Sequence, residues 1–127
     1  MVSKVVEEWV NQACYDFETA KAMQEAQRHL YVLFCCQQAV EKMLKALIAK
    51  RINESPPRTH NLIQLSKKAC LDLTESQEGL LRDLAGFYIA TRYPEEIEKL
   101  VRKTEAVDTA TILAAAEDVL KWLKSML

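Results

Sequence analysis

Apolar residues recur at alternating three- and four-residue steps near the start of the chain, at Val6, Val10, Ala13, Phe17 and Ala20. That spacing places them on one stripe of a helix and predicts a helix over 3–26, with Trp9 and Asp16 flanking the stripe. A second helix is predicted over 30–51, where Leu33, Val40, Leu44, Leu47 and Ile48 are separated by good helix formers. It should end in the stretch 53–58, because Pro56 and Pro57 forbid helix continuation and push their predecessors toward extended backbone.

Thr59 is the candidate cap of a short third helix carrying Leu62, Ile63 and Leu65 and ending near Leu71. Thr74-Glu75-Ser76-Gln77 has the Thr-x-x-Gln form of a capping box, and Leu80, Leu81, Leu84, Phe87 and Tyr88 follow at helical spacing. Pro94 makes a bend of the Arg92-Tyr93-Pro94 stretch, with a short helical turn expected over 95–101. A last helix should start near Asp108 and direct Ile112, Leu113, Ala116, Val119, Leu120 and Leu123 inward. Nothing remains for a sheet. The expected fold is all-α: one domain, 1–127, built as an up-and-down bundle of about five helices whose two long members form an antiparallel hairpin.

Composition agrees with long helices, since half of the 127 residues are apolar and Gly and Pro are scarce. The chain has no apolar run of roughly 18 residues and no basic stretch followed by an apolar one at its start, so no membrane span and no signal peptide are expected. Cys14, Cys35, Cys36 and Cys70 lack the CxxC spacing of redox and zinc motifs, and His29 and His60 have no cysteine at ligand distance in sequence. Reduced cysteines in a cytoplasmic protein without a metal or other cofactor are the expectation. The net charge of −1 hides an asymmetry: 42–68 holds Lys42, Lys45, Lys50, Arg51, Arg58, Lys67 and Lys68 against Glu54 alone. One end of the molecule should attract anions, or else present an ordinary solvated basic face.

Gln38, Glu41, Lys42 and Lys45 fall at three- and four-residue offsets and share a face of the second helix. They can be intrahelical support, Gln38 beside Lys42 and Glu41 before Lys45. Alternatively Gln38, Lys42 and Lys45 offer donors to a phosphate or an acidic partner. His60 follows the Pro56-Pro57 loop and either fixes that loop as a neutral imidazole or faces a ligand. Tyr88, Arg92 and Tyr93 bring two phenols and a guanidinium to the Pro94 bend, a group that can stack on bases or hold a phosphate. It can equally be a latch in which Arg92 pairs with a buried acid such as Asp16.

These residues together resemble the HEPN family, the higher eukaryotes and prokaryotes nucleotide-binding domain. The blocks that carry the resemblance span nearly the whole chain: Trp9, Ala13, Asp16 and Ala20; Phe34, 37–42, Lys45 and Ala46; 59–62 with Leu65; and Tyr88 with 92–94. The resemblance implies a helical bundle that commonly dimerises, often beside a minimal nucleotidyltransferase with which it behaves as toxin and antitoxin. It also implies a nucleotide-binding role that reaches Gln38, Lys42, Lys45, His60, Tyr88 and Arg92. Many members resemble metal-independent ribonucleases with an Arg ahead of a His and four to six residues between them. Here the corresponding positions are Ala22, Met23 and Gln24 before His29, and Asn53, Glu54 and Ser55 before His60. A binding module is therefore expected first. The alternatives are an endoribonuclease that pairs Arg92 with His60 through folding, and a regulatory bundle with no ligand.

Overall fold

The computed structural model describes residues 3–127. They form six helices, α1 (Lys4–Glu25), α2 (His29–Ile52), α3 (Leu62–Lys68), α4 (Glu75–Ala85), α5 (Pro94–Thr104) and α6 (Thr109–Ser125), with no strand among the described residues. Ser3 caps α1 by accepting from the Val6 amide, and the short connection to α2 folds the two long helices into a hairpin. Gln27 in that connection adopts a positive φ of 59°.

Helix α2 is the axis of the bundle and touches every other helix. It is therefore buried nearly all round, from Leu30 and Leu33 through Val40, Leu44 and Leu47 to Ile48. A helix surrounded in this way needs no polar stripe, which is why its apolar pattern is less sharply one-sided than that of α1. The main core gathers Ala13, Phe17 and Ala20 of α1 with Val40, Leu44, Leu47 and Ile48 of α2, Leu62 and Leu65 of α3, Leu80, Leu81 and Leu84 of α4, and Ala116, Leu120 and Leu123 of α6. A second cluster, Leu30, Leu33, Phe87 and Ile89, with Ile97 and Leu100 against it, docks α5.

The capping box at α4 is formed as the local sequence demands: the Thr74 hydroxyl accepts from the Gln77 amide at 3.1 Å, and Gln77 Oε1 accepts from the Thr74 amide at 2.9 Å. Two other boundaries differ from the sequence expectation. The cap of α3 is Asn61, whose Oδ1 accepts from the Gln64 amide, while Thr59 supports that cap by accepting from the Asn61 amide. The expected turn over 95–101 is a full helix of 11 residues, making six helices where about five were expected. Pro94 starts it: at the first helical position its missing N–H is no loss, because that amide has no intrahelical acceptor.

No helix of the described residues is long and apolar enough to cross a membrane. The four cysteines are free. Burial pushes the Cys36 thiol up to about 12, and it raises Cys35 as well, in both cases as the largest cause. These two thiols are held in the unreactive protonated form.

Candidate functional site

Three polar residues on α2, Gln37, Glu41 and Lys45, are buried, with residue exposures of 0%, 4% and 7%. They follow one another at single-turn spacing, so they form a row along one side of the helix. Each must find partners inside the protein. Glu41 supplies most of them. Its Oε1 accepts from Gln37 Nε2 at 3.1 Å and lies 2.9 Å from His60 Nδ1; its Oε2 accepts from Lys45 Nζ at 3.2 Å. Gln38 donates to Gln37 Oε1 at 2.7 Å and completes the chain.

The loop after α2 is shaped to deliver His60 to this row. Asn53 ends α2 in the left-handed region, φ 55°, a conformation its short side chain tolerates, and Pro56 and Pro57 keep the chain extended. The backbone carbonyl of His60 then accepts from Gln37 Nε2 at 3.3 Å, while its ring meets Glu41 one turn further along α2. The histidine is thus held at both backbone and ring by residues four apart.

A carboxylate can only accept, so Nδ1 of His60 carries the proton and Nε2 of the neutral ring keeps its lone pair. Tyr88 packs against this ring with centroids 4.0 Å apart and planes 16° apart, and its hydroxyl lies 3.0 Å from Nε2. Because the rings are nearly parallel, the hydroxyl meets Nε2 from the ring face and does not occupy the in-plane lone pair. Phe34 supports Tyr88 edge-on at 6.1 Å. Burial, followed by the nearby Glu41 charge, raises the Tyr88 phenol above its ordinary value, so it stays protonated at neutral pH.

His60, Asn61, Tyr88 and Arg92 line one cleft of about 390 Å³. The Arg92 guanidinium is tethered at its rim: Nε donates to the Tyr88 carbonyl, Nη2 to the Gly86 carbonyl and Nη1 to Glu96 Oε2 at 3.2 Å. The expected group of His60, Tyr88 and Arg92 therefore meets in space, although its ends lie 32 positions apart in the chain. Tyr93 lies exposed beside it. The latch between Arg92 and Asp16 does not form, because Arg92 pairs with Glu96 and Asp16 with Lys42.

The other expected ligand residues are placed elsewhere. Lys42 Nζ bonds Asp16 Oδ2 at 2.6 Å and ties α2 to α1; Gln38 is engaged by Gln37; Lys45 turns away from the His60 cleft into a second one. Pairing also thins the basic stretch, since Lys42, Lys45 and Lys68 meet Asp16, Glu41 and Glu54. Among the described residues Arg58 and Lys67 make no ion pair. Glu41, read from sequence only as a partner for Lys45, is the residue that organises the site. A signal for it was present: it is the only acid in α2. No group of acids, histidines or cysteines among the described residues has metal-binding geometry.

No curated protein and no solved structure matches the sequence. The family model of the HEPN domain matches residues 6–126, nearly the whole chain, and the protein belongs to the HEPN domain family.

Proposed function

We propose that this HEPN domain is a binding module for nucleotide or RNA phosphate, with the cleft of His60, Asn61, Tyr88 and Arg92 as its ligand end. The observation that carries the reading is the convergence there of an oriented imidazole, a protonated phenol and a guanidinium. A guanidinium holds phosphate oxygens through a planar fork, and a phenol ring offers a stacking face to a base. The module works as a homodimer beside a minimal nucleotidyltransferase, in a pair of the toxin and antitoxin kind.

Short single-stranded RNA is expected to bind at low ionic strength and to weaken steadily as salt rises from about 50 to 200 mM. Arg92→Ala should raise the dissociation constant about tenfold, close to 1.4 kcal/mol. Fluorescence anisotropy with a labelled oligonucleotide measures both, and a salt-independent signal that Arg92→Ala leaves unchanged would overturn the assignment. Co-purification from the native host tests the partner: recovery without any nucleotidyltransferase counts against the pairing. A monomer mass by light scattering at high concentration counts against the dimer.

A second reading, metal-independent cleavage of RNA, is favoured by one observation. Glu41 holds the proton on Nδ1, which leaves Nε2 as the basic nitrogen, the arrangement a general base requires. The enzyme would use Arg92 to neutralise the phosphate.

A further inference from the structure

We infer a second ligand site, between the first turns of α1 and the last turns of α2, that takes a small aromatic ring bearing a phosphate or carboxylate. It shares no lining residue with the His60 cleft and does not rest on that reading. The cleft measures about 700 Å³ and is the space where Trp9 of α1, Lys45 and Ala49 of α2 and the loop from Asn53 to Arg58 face one another. Small-molecule sites commonly fall between about 300 and 1,000 Å³, whereas a bare phosphate would leave most of such a space to water.

The chemistry of the lining divides in two. The Trp9 indole on α1 and, across from it, Pro56 and Pro57 on the loop supply apolar surface suited to a ring. Two cations and one acid share the same lining; the acid, Glu54, is paired with Lys68 at 3.7 Å, so the cations outnumber it. Lys45 is at the floor, its side chain 9% exposed and its ammonium 5.5 Å from the Trp9 ring centroid. Arg58 is exposed and makes no ion pair among the described residues. The ammonium has three protons, of which Glu41 takes one at 3.2 Å; an anion in the cleft can take another.

The buried pair of Lys45 and Glu41 is costly to desolvate, and a well-packed apolar pair of the same volume would serve folding as well. A charge held at the floor of an open cleft, beside an aromatic face, has a use that such an apolar pair lacks. The combination recognises a ring and an anionic group joined in one molecule, and either alone engages only half of the lining.

The test uses Trp9 fluorescence in a Trp122→Phe, Arg92→Ala background, which removes the second indole and weakens the other cleft. Adenosine monophosphate, indole-3-acetate, adenosine and inorganic phosphate are titrated separately. At least one of the two ring-bearing anions is expected to quench Trp9 with a dissociation constant tenfold or more below those of adenosine and inorganic phosphate. Tighter binding of the first places a phosphate at Lys45, tighter binding of the second a carboxylate, and both support the site. Lys45→Met should abolish the tight phase, and Arg58→Ala, an exposed change that leaves the core intact, should weaken it at least tenfold. The site is refuted if neither ring-bearing anion binds more tightly than adenosine and phosphate, or if Arg58→Ala binds as the background protein does.

Discussion

Glu41→Ala is expected to destabilise the bundle by about 3 to 5 kcal/mol, the usual cost of leaving one member of a buried ion pair without its partner. The reason lies in how many groups depend on one carboxylate. Lys45 would keep a charge on a side chain only 9% exposed, facing the Trp9 ring with no anion beside it. Gln37, fully buried, would lose one of the two acceptors of its amide and retain the His60 carbonyl. His60 is half-exposed and can turn to water, so its share of the loss is small. Against a typical domain stability of about 5 to 15 kcal/mol the change is large, and melting temperature should fall by on the order of 10 °C or more. Glu41→Leu combined with Lys45→Met should recover most of the loss, because both charges then leave the interior together. Chemical denaturation of Glu41→Leu, of Lys45→Met and of the double variant measures the coupling. If Glu41→Ala alone melts within about 1 kcal/mol of the wild type, the pair is solvated rather than buried.

The same carboxylate marks where sequence reading works and where it stops. Helix starts were legible at Thr74 and Gln77 because both halves of the capping box lie within four residues. Helix α5 was foreshortened for an equally local reason: Pro94 is a helix breaker in an interior and a good first residue, and only the backbone around it decides which. The partnership of Glu41 with Lys45 could be read from their spacing, but its partnership with His60 could not. That contact spans 19 residues and depends on Asn53, Pro56 and Pro57 turning the loop back along α2. The basic stretch is thinned by the same kind of closure. Asp16 is distant in sequence from Lys42, yet the α1–α2 hairpin sets them 2.6 Å apart and removes that lysine from the free charges. Local chemistry was therefore readable, whereas pairings made by loop closure were not. The candidate site consists mostly of the latter.

His60→Ala is the variant with the largest expected effect on chemistry. On the cleavage reading, Nε2 takes the proton of a ribose 2′-hydroxyl, the 2′ oxygen attacks the adjacent phosphorus, and the 5′ oxygen leaves and takes up a proton. General base catalysis of this kind contributes about 10²- to 10⁴-fold, so His60→Ala should reduce cleavage to near background. Glu41→Gln should fall between it and the wild type: an amide placed beside Nδ1 no longer demands that Nδ1 carry the proton, and part of the population then presents the wrong nitrogen to substrate. Binding of RNA should survive His60→Ala better than Arg92→Ala, since the guanidinium carries the charge that phosphate meets. Gel analysis of a labelled RNA in the presence of a chelator separates these roles, with circular dichroism to confirm that each variant is folded. Cleavage by folded His60→Ala at the wild-type rate would eliminate this histidine as the base. A wild-type protein that binds RNA but never cuts it would leave the same cleft as a binding site, its imidazole serving to orient the ligand through the proton that Glu41 fixes on Nδ1.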